Sequence, residues 1–352
     1  MDRISRRSFL QASGAAAGCV FASPLRAAAP EPSPVTPALI KAAQKEGKVV
    51  FYTAMDIAVA EKFGKAFEAK YPGIAVRVER SGSERLFTRV AQEMASNIAA
   101  LDVVNSADAA HFIVWKRNGW LEPYVSEDTA AHYPPEHRDA DGMYVTMRAW
   151  LCPIGYNTNL VKPEEAPKSF ADLLDPKWMG KIVKGHPAYS GTIMTATYEI
   201  ARDIGWHYFE KLALQKVMQV QSSTDPPKKL ALGERAIMAD GSDYQLVLGK
   251  EAGQPVQVVY ATEGTPLITG PNGIFKSAPN PNAARLLQSY LLSAEAQQML
   301  VDEVAQRSFH RLVKEKPGRT PLSAIKLMKD DPVAVEAQSE EIKARYTKLF
   351  RI

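Results

Sequence analysis

The segment from Lys48 to Val90 limits the possible folds more than any other part of the chain. Residues 49–52 (VVFY) are too few for a helix and rich in strand-forming types. Apolar residues at helical spacing follow over 59–71, and Tyr71-Pro72-Gly73 ends that helix. Apolar and polar residues then alternate over 74–79, as in a strand. A strand, a crossover helix and a strand form a parallel unit, whose ligands bind beyond the carboxyl ends of the strands.

Chain length indicates two lobes rather than one. The 352 residues exceed what a single hydrophobic core usually organises. The later pattern predicts a helix over 84–99, a short strand over 101–106 that ends in polar residues, and a helix over 110–118. An apolar, extended run over 144–156 is suited to cross from one lobe to the other. We therefore predict an α/β protein built from two lobes of similar size.

The N-terminal residues predict export. Arg6-Arg7, a short stretch of small and apolar residues to Phe21, and the Ala27-Ala28-Ala29 run match a cleavable twin-arginine signal over residues 1–29. The apolar stretch is too short for a membrane span, and no run of about 18 apolar residues follows it. The sequence thus predicts a soluble periplasmic protein. Lipid attachment at Cys19 is the less favoured alternative, because such sites usually carry Leu three residues earlier.

Charge and cysteine content exclude several classes of function. Residues 1–29 hold four arginines and one aspartate, so the remaining chain carries 39 basic and 38 acidic residues. Without a block of like charge, the chain lacks the electrostatic footprint of a nucleic-acid-binding protein. Cys152 is the only cysteine after the signal, which excludes an intramolecular disulfide and leaves too few thiolates for a zinc site.

Eight segments resemble one protein family in sequence and in order. They are VVFYTAMDIAVAEKFGKAFEAKYPGIAVRVERSGS, ALDVVNSADAAHF, NGWLEPY, IGYNTNLV, PKSFADLLDPKWMGKIV, YSGT, GERAIMADGSDY and TGPNGIFKSAPNPNAARLLQSYLLSAEAQQML. From about Val49 to Leu300, the chain resembles the periplasmic solute-binding proteins of ABC importers, in the branch of extracellular solute-binding family 1 that contains ferric-ion, phosphonate and sugar-phosphate binding proteins.

The resemblance implies a two-lobed periplasmic-binding-protein fold of type II, in which each lobe is a mixed sheet flanked by helices and a two-strand hinge joins the lobes. It places lobe one at residues 45–152 plus 275–352 and lobe two at 157–270, with a return crossing near Ile274-Phe275. It also implies a monomer that closes over one small solute, docks on an inner-membrane ABC permease, and has no cofactor and no catalytic residues.

Two short polar motifs are the main candidates for ligand contacts. Ser81-Gly82-Ser83 precedes a helix predicted from Glu84, and Ser190-Gly191-Thr192 precedes one predicted from Ile193. Serine and threonine cap helices everywhere, so each motif alone has a purely structural interpretation. One motif in each lobe of this fold, however, favours a shared anion site, because free N–H groups and the helix dipole attract anions. The predicted solute is a small organic phosphate, phosphonate or carboxylate.

Single residues extend the candidate site. Thr53 and Ser106 follow strands, although turn residues also occupy such positions. Trp150 is predicted to wall the ligand or to belong to the core. Arg85 and Arg148 are candidates for bidentate anion contacts, with surface ion pairing as the alternative.

Iron binding is the first alternative function. Ferric members of the family use paired tyrosines in lobe two, whereas here Tyr244 stands alone, and Met55-Asp56 replaces the histidine after the first strand. Tyr244, Asp56 and Asp108 form the iron set that this sequence offers. Since the family pattern is broken, an organic anion is the first prediction, with the Tyr244 hydroxyl as a hydrogen-bond donor.

A third function uses the same fold. A periplasmic partner that reports a bound ligand to a membrane kinase would have the same residues in its cleft. The sequence contains no histidine pair at helical i, i+4 spacing that would indicate a metal site. It also contains no nucleophile elbow or phosphate-loop motif that would indicate an enzyme.

Overall fold

The computed structural model describes residues 29–351, so Cys19 and all of the predicted signal except Ala29 lie outside the described residues. The strands are β1 (Lys48–Thr53), β2 (Ala75–Arg80), β3 (Val103–Asn105), β4 (Leu121–Glu122), β5 (Val145–Leu151), β6 (Ile154–Asn157), β7 (Ile182–Gly185), β8 (Met218–Val220), β9 (Ile237–Met238), β10 (Val256–Val259), β11 (Thr265–Phe275) and β12 (Leu327–Met328). The helices are α1 (Pro37–Glu46), α2 (Ile57–Lys70), α3 (Ser83–Ala95), α4 (Ala110–Arg117), α5 (Glu127–His132), α6 (Gly191–Asp203), α7 (Trp206–Ala213), α8 (Asp225–Ala231), α9 (Asp243–Glu251), α10 (Pro281–Leu291), α11 (Ala294–Val304) and α12 (Pro332–Phe350).

The strands form two mixed sheets. The first has the order β12-β11-β3-β1-β2, and β4 and β5 also pair with β11. The second has the order β10-β6-β9-β7-β8. We call each sheet with the helices packed on it lobe one and lobe two, respectively. This arrangement confirms the predicted fold class.

The first strand–helix–strand unit lies where its sequence pattern predicts it. β1 and β2 pair in parallel over their full length, from Lys48 opposite Ala75 to Thr53 opposite Arg80. The helix between them buries Phe63 and Phe67. Because β3 joins β1 on its other side, also in parallel, three strands of lobe one end at the same edge of the sheet.

Two stretches of chain cross between the lobes. β5 in lobe one leads through residues 152–153 to β6 in lobe two, so the extended run over 144–156 forms two strands in different sheets. The return lies earlier than the expected crossing near Ile274-Phe275. β11 already pairs with β5 at Leu267 opposite Leu151, and residues 265–270, which the resemblance assigned to lobe two, therefore lie in the first sheet.

Helix α12 contacts both lobes. It packs against α4 of lobe one and against α6 and α7 of lobe two. The Tyr346 side chain is fully buried, and its hydroxyl donates to Gln219 of β8. Ion pairs tie this helix to both sides: Arg117–Glu336 at 2.6 Å, Glu84–Lys343 at 3.1 Å and Glu210–Arg345 at 3.2 Å.

Each lobe has its own apolar core. Phe51, Phe67 and Leu287 belong to a cluster in lobe one, whereas Phe170 and Phe209 belong to one in lobe two. Within residues 29–351, no helix is both long and apolar enough to span a bilayer.

The buried carboxyl group of Asp330, which follows β12, should make the stability of the protein depend on pH. Thr269 of β11 donates a hydrogen bond to its carboxylate, yet burial, together with the nearby charge of Asp108, raises the pKa of Asp330 to about 7. The folded protein therefore holds this proton more tightly than the unfolded chain. The resulting stabilisation is complete below about pH 4 and is lost as the pH rises through about 7.

We expect Asp330→Asn, which cannot ionise, to melt roughly a few degrees higher than the native protein at about pH 8. The two proteins should melt alike at about pH 4, because both then carry a neutral group there. Thermal unfolding across this pH range measures the difference. A constant offset between the two proteins at every pH would contradict the prediction.

Candidate functional site

A cleft of about 530 Å³ lies between the lobes. On the side of lobe one it is lined by residues at the ends of β1 and β2, the first turns of α3, and Arg148 and Trp150 of β5. On the side of lobe two it is lined by residues 188–190, Thr192, residues 221–225 and Tyr244. Most of these residues follow a strand or begin a helix, which is where ligands of α/β sheets bind.

The two lobes touch at one edge of the cleft. The backbone N–H of Gly191, the first residue of α6, donates to the Ser83 hydroxyl of lobe one over 2.9 Å. The carbonyl of Tyr189 lies close to Gly82 on the other side of this contact. The structure therefore shows the lobes in a closed arrangement, in which two predicted ligand-binding motifs also bind each other.

This contact changes the expected roles of the two motifs. Helix α3 begins at Ser83, and no side chain caps it, because its N-cap, Gly82, has no side chain. The Ser83 hydroxyl instead accepts from Gly191 of lobe two. Helix α6 begins at Gly191, and the Ser190 hydroxyl accepts from Ile193 over 3.4 Å. The capping expected at α3 is thus wrong, whereas Ser190 caps α6 as expected.

Arg148 is a buried cation facing the cleft. The side chain is 2 % exposed, its Nε donates to Asn105 Oδ1 over 2.9 Å, and its guanidinium lies 4.7 Å from the Trp150 ring. Neither Nη1 nor Nη2 has a hydrogen-bond partner among the residues that the structure describes. Burial lowers the pKa of Arg148 to about 10, so the group is still charged at neutral pH.

Two aromatic residues from different lobes meet beside Arg148. Trp150 and Tyr244 pack edge to face, with ring centroids 6.4 Å apart and planes at 84°. Both are almost fully buried, and burial raises the pKa of the Tyr244 hydroxyl, which therefore keeps its proton. Tyr244 is the second residue of α9, so this contact closes lobe two over the arginine.

The structure brings six of the ten predicted ligand residues to the cleft and leaves four outside its lining. The six are Gly82, Ser83, Trp150, Ser190, Thr192 and Tyr244. Thr53 and Ser106 are fully buried and bond within lobe one, where Ser106 contacts His111 Nδ1 at 2.9 Å. Ser81 donates its N–H to the Thr53 carbonyl, and Gly191 is covered by Asp108 and Ser83.

The residues of the iron alternative lie in different surroundings. Asp56 and Tyr244 line the cleft, but Asp108 does not. Asp108 instead lies in a cluster with Glu84 and His111, whose ligand atoms all fall within 4.8 Å of one another. Glu84 of that cluster already has a cation as partner, because Lys343 pairs with it at 3.1 Å.

The sequence patterns missed several lining residues. Arg80 is the last residue of β2, and residues 221–225 follow β8 directly. Thr53 and Ser106 were predicted because they lie at the end of a strand. The same criterion would have selected Arg80 and residues 221–225. Arg148, in contrast, was already a candidate for an anion contact, and it lines the cleft as a charged residue in the middle of the apolar run 144–156.

Comparison with protein families decides the class of this chain. The model of the bacterial extracellular solute-binding proteins matches residues 53–298. The chain belongs to this family. That membership confirms the resemblance described above.

Individual relatives agree with the family. A probable ABC transporter periplasmic-binding protein of Sinorhizobium fredii is 25% identical over 215 residues, which cover 58% of this chain and 58% of that protein. The periplasmic binding protein AfuA of Actinobacillus pleuropneumoniae, solved with fructose-6-phosphate, has a TM-score of 0.77 at 23% identity, covering 87% of this chain and 99% of that one. Iron-bound HitA of Pseudomonas aeruginosa has a TM-score of 0.74 at 21% identity, covering 85% and 99%.

These comparisons support a general role. The chain is a solute-binding component of an ABC transporter, which implies a small solute and a membrane permease as partners. At identities below 25%, the likeness to AfuA and HitA shows the fold alone.

Proposed function

We propose that this protein captures a small anionic solute in the periplasm, between its two lobes, and delivers it to an inner-membrane ABC permease. The solute belongs to the organic phosphates, phosphonates or carboxylates. Family membership supports the role in transport. The buried arginine in the cleft supports a negative charge on the solute.

The observation that carries this proposal is the unpaired guanidinium of Arg148. A buried cation without a counter-ion is costly, and the cost is offset when an anion binds it. The planar fork of arginine presents parallel N–H groups that match the two oxygens of a carboxylate or phosphoryl group. With Nε held by Asn105, the two terminal nitrogens are fixed and free to donate to an anion in the cleft.

Closure completes the proposed site. Tyr244 and Trp150 lie beside Arg148, while Thr192 and Ser190 come from the start of α6 in the other lobe. A solute that contacts groups on both lobes stabilises the closed form relative to the open one, which is all that binding requires. The permease would then dock on the closed form.

We expect a thermal-shift screen of the purified protein, freed of co-purified solute, to respond to an organic anion. Solute at about a hundred times its dissociation constant adds roughly 2.7 kcal/mol, a shift of several degrees. The panel contains sugar phosphates, phosphonates, carboxylates, and ferric ion with and without phosphate. A shift with ferric salts alone would replace this proposal with iron uptake.

Arg148→Gln should weaken binding of the responding anion by about 10-fold to 100-fold, because a charge-assisted contact is lost while glutamine still donates to Asn105. Arg311→Gln is the surface control, since Arg311 is exposed and does not line the cleft. Isothermal titration of both variants measures the change. Equal affinities in the native protein and Arg148→Gln would refute the role of this arginine.

A further inference from the structure

Helix α12 is attached more firmly to lobe two than to lobe one. Its last turns are embedded in lobe two, where Tyr346 is fully buried and its hydroxyl donates to Gln219 of β8 over 3.0 Å. The Tyr346 ring packs edge to face on Phe209 of α7, with centroids 6.1 Å apart, and Leu349 and Phe350 pack against the same apolar core. Tyr346 can leave lobe two only if its ring becomes exposed and its hydroxyl loses this partner. This end of the helix is therefore costly to detach.

The contacts of α12 with lobe one are weaker. Glu336 pairs with Arg117 of α4 at 2.6 Å, and Lys343 pairs with Glu84 of α3 at 3.1 Å. The Arg117 side chain is 57 % exposed, and ion pairs of such exposed groups contribute little. Among residues 29–351, lobe one supplies only Ala110 to the buried apolar cluster that α12 shares with α6, and an alanine side chain buries little apolar area.

The charges of Glu84 and Lys343 each keep a second partner on their own side of this contact. Glu84 also contacts His111 of lobe one at 3.2 Å, and Lys343 also pairs with Glu340 of α12 at 3.0 Å. Because neither charge is left alone, separating Glu84 from Lys343 costs less than breaking an isolated buried pair. Helix α12 can therefore part from lobe one and stay with lobe two when the cleft opens.

The ion pair between Glu84 and Lys343 lies next to the contact that closes the cleft. Glu84 follows Ser83, whose hydroxyl accepts from the Gly191 N–H of lobe two over 2.9 Å. Glu84 lines the cleft, whereas Lys343 and Glu336 do not. The two α12 residues therefore lie outside the surface that a solute would touch, and they can act on its binding only through closure.

We infer that α12 is a latch for the closed form. It moves with lobe two, and Glu336 and Lys343 reach lobe one only when the cleft is closed. Their ion pairs then favour the closed form over the open one even without solute, so they raise the affinity for any solute whose binding needs closure. The latch acts on closure itself and does not depend on the chemical class of the solute.

Charge reversal at Glu336 tests the latch. Glu336→Arg turns the attraction to Arg117 into repulsion, and Arg117→Glu combined with Glu336→Arg restores a pair of opposite charges. Glu210→Arg is the matched control, because it makes the same change of charge and breaks the partly exposed pair with Arg345 of α12, which lies at 3.2 Å on the side of lobe two. Both single variants gain the same positive charge, so a difference between them reports which lobe the broken pair holds.

Hydrogen exchange at the Gly191 amide measures closure without solute, because this N–H donates to Ser83 of the opposite lobe when the cleft is closed. We expect the amide to exchange roughly 3-fold to 10-fold faster in Glu336→Arg than in the native protein. Small-angle X-ray scattering should show a larger radius of gyration for the same variant. The charge-swapped protein and Glu210→Arg should match the native protein in both measurements.

Thermal unfolding separates closure from general stability, since Glu336→Arg and Glu210→Arg each break one ion pair of α12 and should melt at similar temperatures. Native exchange of the Gly191 amide in Glu336→Arg would overturn the latch, and so would the same acceleration in Glu210→Arg. Failure of Arg117→Glu to restore slow exchange would overturn it as well. All of these measurements use the solute-free protein, so the latch can fail while the proposed function stands, and the reverse.

Discussion

Gly191→Ala should abolish tight solute binding while leaving the protein folded. A Cβ at residue 191 would lie 2.4 Å from the Cβ of Asp108 and 3.1 Å from Ser83 Oγ, both in the opposite lobe. Non-bonded carbon atoms do not approach so closely, so the lobes of the variant have to stay further apart. Since the contact exists only when the cleft is closed, the open form has no such clash. Alanine also suits the first turn of α6.

We expect the affinity of Gly191→Ala for the responding anion to fall by about 100-fold or more, which corresponds to roughly 2.7 kcal/mol. Small-angle X-ray scattering should show that the radius of gyration of the native protein decreases when solute is added and that of the variant does not. Hydrogen exchange of the peptide that contains residue 191 should rise, because its N–H no longer reaches Ser83.

A second-site variant tests whether the effect comes from the clash. Asp108→Gly removes the Cβ that the new methyl group would meet, so Gly191→Ala combined with Asp108→Gly should regain part of the affinity. Asp108→Gly alone loses the hydrogen bond from the Ala110 N–H to the Asp108 carboxylate, and it supplies the reference for that cost. If Gly191→Ala binds solute as tightly as the native protein does, the contact between Gly191 and Ser83 does not form in the solute-bound protein.

The contact at Gly191 also shows what sequence patterns can and cannot predict. The strand–helix–strand unit over β1, α2 and β2 is local, because the spacing of its apolar residues sets its elements and their order. The cap at Ser190 is local for the same reason. The Ser83–Gly191 bond joins residues 108 positions apart, and it depends on how two lobes close. No local pattern contains that information, so both motifs were expected to contact the ligand directly.

Only part of the role of Arg148 could be predicted from the sequence. Its position on an extended apolar run could be predicted, and a charged residue in such a run signals a partner. The identity of the partner could not be predicted, since Asn105, Trp150 and Tyr244 reach it from three separate elements. The predicted return of the chain to lobe one near Ile274-Phe275 was wrong for a similar reason. β11 is buried throughout its 11 residues, and only its pairing with β12, β5, β3 and β4 shows that all of it lies in lobe one.

Lys184→Met should strongly destabilise the protein, although Lys184 lies outside the lining of the cleft. Lys184 and Asp240 are each 1 % exposed, and their charged atoms lie 2.7 Å apart beneath the aromatic rings of Phe209 and Tyr346. Methionine fills a similar volume but leaves the carboxylate of Asp240 buried without a cation. Breaking a buried pair on one side costs about 3–5 kcal/mol, and chemical denaturation at neutral pH measures this loss of unfolding free energy.

Two further variants separate the buried charge from loss of the lysine itself. Adding Asp240→Asn to Lys184→Met should restore most of the stability, because asparagine carries no charge and still accepts from the Gly185 N–H. Lys229→Met is the surface control, since the Lys229–Glu234 pair is about one-third exposed and should be worth less than about 1 kcal/mol. Equal losses in Lys184→Met and Lys229→Met would contradict the argument, since burial is what makes an unpaired Asp240 costly. Recovery in the double variant would show that lobe two requires charge balance at this position, rather than a lysine.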